Sequence, residues 1–242
     1  MSTPSLIVVG GSRGIGRAIA ERGASRGMPV ATLSRSAGEA HAGIAQFVCD
    51  VCVTEQVVGT LQAAIAAVGP PRYVVYAAGT LGPVMRVDRA ATDQFEQAFQ
   101  VNVLGAHRVA NALLPALRSV PGSALVFLSA SSASHVWQGW GAYGASKAAL
   151  DQLMRTIAAE EPDGGPTILS FVPGLTDTGM QEGLRAATPE DFPDVEKFKR
   201  WHERGASKRP AKVAEALEIV LARPRSELHG QVVAADEVLK RL

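Results

Sequence analysis

Two rhythms of apolar residues alternate along the chain. Short runs dense in Val, Ile, Leu and Phe read as strands: SLIVV at 5–9, PVATLSR at 29–35, AQFVCDV at 45–51, RYVVYAAG at 72–79, SALVFLS at 123–129, TILSFV at 167–172 and QVVAAD at 231–236. Between them lie longer stretches with helical spacing. The first spans 14–27, where Ile15, Ala18, Ile19 and Arg22 share a face. The second spans 54–69, with Thr54 as its N-cap and Gly69-Pro70 as its stop. A long one runs from about Asp93 to Arg118, and others cover about 141–160 and 211–222.

Strands alternating with helices of this length imply right-handed crossovers and an α/β architecture: a seven-stranded, mostly parallel sheet, doubly wound, with helices on both faces. Such a sheet binds its ligand beyond the carboxyl ends of the strands, where strand order reverses. Residues 1–242 are expected to form one domain, with no repeat or low-complexity segment. The least regular stretch, 175–210, is rich in charge and carries Pro189 and Pro193; its place between strands suggests a loop folded over the site.

Composition narrows the partners. Nearly half the residues are apolar (47%) and 19% are charged, enough for a large core, and the formal charge of +1 gives no electrostatic case for nucleic acid or an anionic membrane. The first apolar run, Leu6 to Val9, is too short for a signal peptide or a membrane span, and no later run reaches that length, so the expectation is a soluble, cytoplasmic protein. Cys49 and Cys52 have the spacing of a redox pair, but small apolar residues at a strand exit are the preferred reading. The five histidines show no metal-ligand spacing, so no metal is expected.

GGSRGIG, residues 10–16, directly follows the first strand and opens the first helix. Gly10, Gly14 and Gly16 allow a tight turn and a close backbone approach to phosphates, with Ser12, Arg13 and Ile15 between them, and the helix N-terminus attracts the phosphate charge. At the end of the second strand an acidic residue would accept bonds from a ribose hydroxyl. This chain has Ser34, Arg35 and Ser36 there, with Arg13 in the turn, a set suited to a 2′-phosphate and hence to NADP(H).

The spacing G-x-x-x-G-x-G resembles the short-chain dehydrogenase/reductase family, with Val9 in place of the family's threonine. The resemblance runs along nearly the whole chain and implies a Rossmann-type fold. It maps Asp50-Val51 onto the adenine-contacting pair at the end of the third strand. Tyr76-Ala77-Ala78-Gly79 falls where N-N-A-G is usual, keeping Ala78 and Gly79. Asn102 matches the helical asparagine that orders a water beside the catalytic lysine. Pro173, Gly174, Thr176 and Thr178 fall in the segment that lines the nicotinamide.

Carbonyl reduction needs a hydride, which a cofactor supplies, and a proton donor with an oxyanion stabiliser, which the protein supplies. Tyr143 and Lys147 lie one helical turn apart on one face, in the Y-x-x-x-K of the same family. The lysine's charge, with that of an oxidised nicotinamide, is expected to favour tyrosinate; a drop of about three units corresponds to about 4 kcal/mol. The family's catalytic serine precedes the tyrosine by thirteen positions, and here that position is Ala130. Ser131 is the candidate replacement and Ser129 the fallback, with its side chain expected to face away from Ala130's; the third possibility is that no serine contributes.

GWGAYGASKAAL (139–150), AAEEPDGG (158–165) and VPGLTDTGMQ (172–181) resemble the sepiapterin reductase and benzil reductase branch, which implies reduction of vicinal dicarbonyls with NADPH. Trp137, Trp140, Met180 and 192–201 could wall an aromatic pocket. The aspartate by which sepiapterin reductases anchor the pterin is replaced by Ala234, with Asp236 two positions on, which favours benzil-type substrates. A 3-oxoacyl or steroid-type reductase is the alternative enzyme, and an NADP(H)-binding sensor without turnover the alternative class. The resemblance also implies a homodimer or homotetramer built on the helices at 93–118 and 141–160, which carry Ala110, Ala112, Ala142, Ala145, Ala148 and Ala149.

Overall fold

A computed structural model describes residues 4–240. Seven strands form one sheet: β1 (Ser5–Val9), β2 (Val30–Ser34), β3 (Ile44–Val48), β4 (Pro71–Tyr76), β5 (Ala124–Leu128), β6 (Thr167–Val172) and β7 (Val232–Ala234). Their order is β3-β2-β1-β4-β5-β6-β7, and every neighbouring pair is parallel. The chain winds outward from β1 to β3 and returns to β4 on the other side, so strand order reverses between β1 and β4.

The continuous apolar runs are explained by burial on both faces. Ile7, Val9, Val74, Leu125 and Phe127 pack beneath α2 (Thr54–Val68), α4 (Gly105–Arg118) and α5 (Gly141–Glu160). Leu6, Val8, Val75, Val126 and Phe171 face the opposite way, onto α1 (Gly14–Ser25) and α8 (Pro210–Leu221). No helix among the described residues is long and apolar enough to cross a membrane.

Several expected boundaries shift, each for a local reason. β3 stops at Val48, so Asp50 and Val51 lie in the turn beyond it; Asp50 Oδ1 accepts the Cys52 N–H there (2.9 Å). Thr54 is the first residue of α2 rather than its cap, which is extended Val53. The single helix expected at 93–118 is α3 (Thr92–Phe99), a π-helical turn at Gln100–Leu104, and α4. The wider turn coincides with the Tyr76 hydroxyl, which donates to the Val101 carbonyl (2.5 Å). Residues 175–210 contain α6 (Gly179–Arg185) and α7 (Val195–Glu203). The last strand ends at Ala234 and passes into α10 (Ala235–Leu239), placing Asp236 on a helix. That helix and α9 (Arg225–Leu228) are too short to leave a periodic signature.

His229 closes the C-terminal part against the sheet. Its Nδ1 accepts the Ile168 N–H (3.2 Å), and its Nε2 lies 2.8 Å from both the Ala158 carbonyl oxygen and the Arg225 guanidinium. Burial, aided by the Arg225 guanidinium, holds its pKa below the ordinary imidazole value. The unfolded chain therefore takes up this proton first, at about pH 6.5, so His229's contribution is complete above that pH and is lost as pH falls below it. Urea unfolding at pH 7.5 and 5.5 should show a smaller pH-dependent loss in His229→Gln than in the wild type. Equal losses in the two proteins would exclude His229 as a source.

Candidate active site

The loop after β1 and the loop after β4 meet at the strand-order reversal. A methyl on Gly10 (φ +89°) would lie 2.4 Å from Ala78 N, and one on Gly16 would lie 2.2 Å from the Gly10 carbonyl oxygen. Gly14 takes φ +59° and faces Thr178 across 3.5 Å. Helix α1 begins there with Arg13 as an N-cap that makes no side-chain cap bond and with no acid in its first turn. The result is a cradle no side chain can enter, floored by amides left without a side-chain cap and roofed by Thr178, which suits a nucleotide diphosphate. The Ser12 N–H donates to Ser34 Oγ (3.0 Å), tying the turn to the end of β2, while Arg13, Arg35 and Ser36 are exposed beside it. Val51 is buried, and Thr176 Oγ1 donates to the Gly174 carbonyl (3.1 Å) below Thr178.

Tyr143 and Lys147 are both buried on α5 where it crosses the carboxyl end of β5, with Lys147 Nζ donating to the Leu128 carbonyl (2.6 Å). Asn102, in the π-helical turn, is fully buried: its Oδ1 accepts the Thr80 N–H (2.9 Å), and its Nδ2 donates to the Thr80 carbonyl (2.9 Å) and Ser146 Oγ (2.8 Å). Ser146 in turn donates to the Tyr143 carbonyl (2.8 Å). A methyl on Gly79 would lie 3.3 Å from Asn102 Oδ1 and 3.7 Å from Lys147 Nζ, so these three residues adjoin. Ser146 and Thr80 were not foreseen; the only sequence signal for Ser146 is its place beside Lys147 on α5.

Burial pushes the Tyr143 pKa up to about 12 and the Lys147 pKa down to about 8, with the Asp151 carboxylate opposing the second shift. Desolvation disfavours the charged form of both groups, and Lys147 Nζ lies 5.7 Å from the Tyr143 ring centroid.

The serines divide as backbone alternation requires. Ser129 is buried with its hydroxyl unpartnered, while the Ala130 side chain packs into the aromatic cluster that holds Tyr143. Ser131 is not part of that cluster; it is exposed at the start of a 3₁₀ turn. The cluster joins Trp140 and Tyr143 to Leu184, Phe192, Val195 and Phe198 of the 175–210 segment, with Trp137, Met180 and Trp201 packed around it. Trp137 and Trp140 both hold an indole N–H closed off from solvent with no acceptor; such a donor costs about 1–3 kcal/mol. Asp236 does not face this cluster alone: Lys208 pairs with it (2.5 Å), and both lie against Gly174. Cys49 is buried with its thiol pKa raised by burial, and both cysteines are free.

A family model described as short chain dehydrogenase matches residues 5–189. Benzil reductase ((S)-benzoin forming) of Bacillus subtilis is 28% identical over 219 residues, covering 87% of this chain and 90% of its own. The 3-oxoacyl-acyl-carrier-protein reductase MabA of Mycobacterium tuberculosis is 29% identical over 232 residues, covering 96% and 91%. The crystal structure of the KRED1-Pglu enzyme superposes with a TM-score of 0.88 at 28% identity, covering 96% of this chain and 100% of that one.

The pKa pattern is directly measurable. In an alkaline absorbance titration of the cofactor-free protein, Tyr143→Phe should leave the native-state phenolate signal below pH 11 unchanged. A phenolate that forms near neutrality in the wild type and is missing from the variant would overturn the assignment of a neutral Tyr143.

Proposed function

The chain belongs to the short-chain dehydrogenase family, and on that footing we propose that it is an NADPH-dependent carbonyl reductase whose substrates are vicinal diketones or aromatic ketones. It is an oxidoreductase acting on C=O and CH–OH groups. The observation that carries the finer reading is the burial of Tyr143 and Lys147 beside Gly79, next to a glycine cradle shaped for a dinucleotide.

A nicotinamide cofactor bound in that cradle would supply the hydride. Gly10, Ser12, Gly14, Ile15 and Gly16 would hold its diphosphate, Asp50 and Val51 would border the adenine, and Ala78, Gly79, Pro173, Gly174, Thr176 and Thr178 would border the nicotinamide end. Arg13 and Arg35, exposed with Ser36 near the Ser12–Ser34 bond, favour a 2′-phosphate and therefore NADPH. Tyr143 donates its hydroxyl proton to the carbonyl oxygen as the carbon becomes an alcohol carbon. A pKa of about 12 keeps that proton in place at neutral pH. Lys147, largely cationic below pH 8, replenishes the proton and binds the ribose; Asn102 fixes α5 through Ser146.

The aromatic walls support an aryl substrate, as does the similarity to a benzil reductase. The Lys208–Asp236 pair argues against a free carboxylate for a pterin. Ala130, which brings a methyl where the family has a hydroxyl, favours a second reading, an NADP(H)-binding sensor; the buried Tyr143–Lys147 pair weighs against it. The reading takes residues 1–242 as one catalytic unit. It pairs protomers through the outer faces of α4 and α5, where Ala112, Ala145, Ala148 and Ala149 remain at least partly accessible while Ala110 and Ala142 pack inward.

Loss of NADPH absorbance with benzil tests the reading. Turnover should fall about 10²–10⁴-fold in Tyr143→Phe, the contribution typical of a general acid. Arg35→Asp should shift the NADPH/NADH preference toward NADH by about tenfold or more, as expected if it removes one charge-assisted phosphate contact. NADPH binding without turnover on benzil, a small diketone or a 3-oxoacyl thioester would move the assignment to the sensor.

A further inference from the structure

Trp140 stands immediately before α5, three residues ahead of Tyr143, and is more than nine-tenths buried. Its indole N–H has no acceptor. The ring stacks on Phe192 (5.5 Å between centroids, 3° between planes) and meets Phe198 at 5.6 Å, Trp137 at 6.0 Å and Tyr143 at 5.7 Å. Phe192 and Phe198 carry no polar side-chain atom, and Trp137 brings a second unpaired N–H rather than an acceptor. Ala130, in the same cluster, contributes a methyl. The wall around Tyr143 thus holds two indole donors that no oxygen accepts from; the buried hydroxyls of Ser129 and Ser132 are unpartnered too and bond to neither.

We infer that the Trp140 indole N–H is a substrate-binding donor, which takes the second oxygen of a vicinal dicarbonyl while the first oxygen lies at the Tyr143 hydroxyl. The inference rests on the reductase reading and deepens it. A buried donor left without a partner is a stability cost that apolar packing alone would remove. An aromatic diketone supplies what the cluster is missing: flat rings for the Phe and Trp faces, and two acceptors on adjacent carbons. The Tyr143 and Trp140 rings meet edge to face, 5.7 Å between centroids, so a flat ligand that opens this contact would lie against both rings. Phe192 and Phe198 cover the indole from the 175–210 segment, and a ligand reaches the N–H by displacing them. The N–H then holds the second oxygen while the Tyr143 hydroxyl addresses the first. It selects for diketones over simple ketones, because a substrate lacking the second oxygen leaves the donor as unpaired as before.

The test compares benzil, with two adjacent carbonyls, and deoxybenzoin, with one, in the wild type, Trp140→Phe and Tyr143→Phe. Trp140→Phe keeps an aromatic ring and removes only the donor and part of the ring area. Its kcat/KM should fall about tenfold or more on benzil and stay within about twofold on deoxybenzoin, with NADPH affinity unchanged, as for a site that loses one hydrogen bond to its substrate. A packing role would lower both substrates alike; equal losses, or none, overturn the inference. A wild type that reduces neither ketone overturns the reductase reading instead. The wild type gives a second readout should Trp140→Phe fail to fold. The Trp140 indole N–H resonance, identified by elimination with Trp137→Phe and Trp201→Phe, should move downfield with benzil plus oxidised cofactor and stay in place with deoxybenzoin. No movement with benzil overturns the inference as well.

Discussion

Two backbones lie against each other where the turn after β1 meets the loop after β4. Gly10 touches the amide of Ala78, and Gly16 touches the carbonyl of Gly10. A methyl at either position would overlap main-chain atoms, and main chain cannot step aside as a flexible side chain can. This contact sets the separation of the loops beyond β1 and β4, and with it the width of the crevice at the strand-order reversal. It also brings Gly79, which follows Ala78, against Asn102 and Lys147. The nucleotide cradle and the reactive pair are therefore positioned by one constraint.

Buried polar bonds carry that constraint outward. Asn102 joins the loop after β4 to α5 through Thr80 and Ser146, and Lys147 joins α5 to the end of β5. Asn102, Ser146 and Lys147 are buried, so breaking the Asn102–Ser146 or Lys147–Leu128 bond would leave an unsatisfied group in low dielectric. The π-helical turn follows from the same arrangement, because it places Asn102 inward while the Tyr76 hydroxyl takes the Val101 carbonyl. The helix is distorted where the site needs an inward amide.

The seven strands, their parallel arrangement and the glycine turn were legible because each is written in local periodicity or in residues with special backbone freedom. Gly10, Gly14 and Gly16 announce their geometry; no other residue fits. The π-helical turn at 100–104 was not legible, since QVNVLG is compatible with regular helix and only tertiary contacts distort it. Helices α6 and α7 were hidden by prolines and charge, which read as loop when their packing partners lie far away in sequence. The burial that raises the Tyr143 pKa was not legible in the sequence, because spacing reports proximity to Lys147 and nothing of the packing around it. Burial likewise separates Ala130, which meets the aromatic cluster, from Ser131, which is exposed; both are strand-end residues in the sequence alone.

The 175–210 segment is held at two points. At one end, Leu175 and Asp177 exchange backbone bonds with Lys208, whose side chain pairs with Asp236 over Gly174. Nearer its middle, Gly139 takes φ +85° so closely against the Asp191 carbonyl that a methyl there would lie 2.3 Å from it. Both anchors use main chain or a charge pair rather than the aromatic side chains between them. Exchanging Phe192, Phe198 or Trp201 therefore leaves the anchors in place while altering the apolar wall that packs on Tyr143. Where the segment lies and what it presents to Tyr143 are set by different residues.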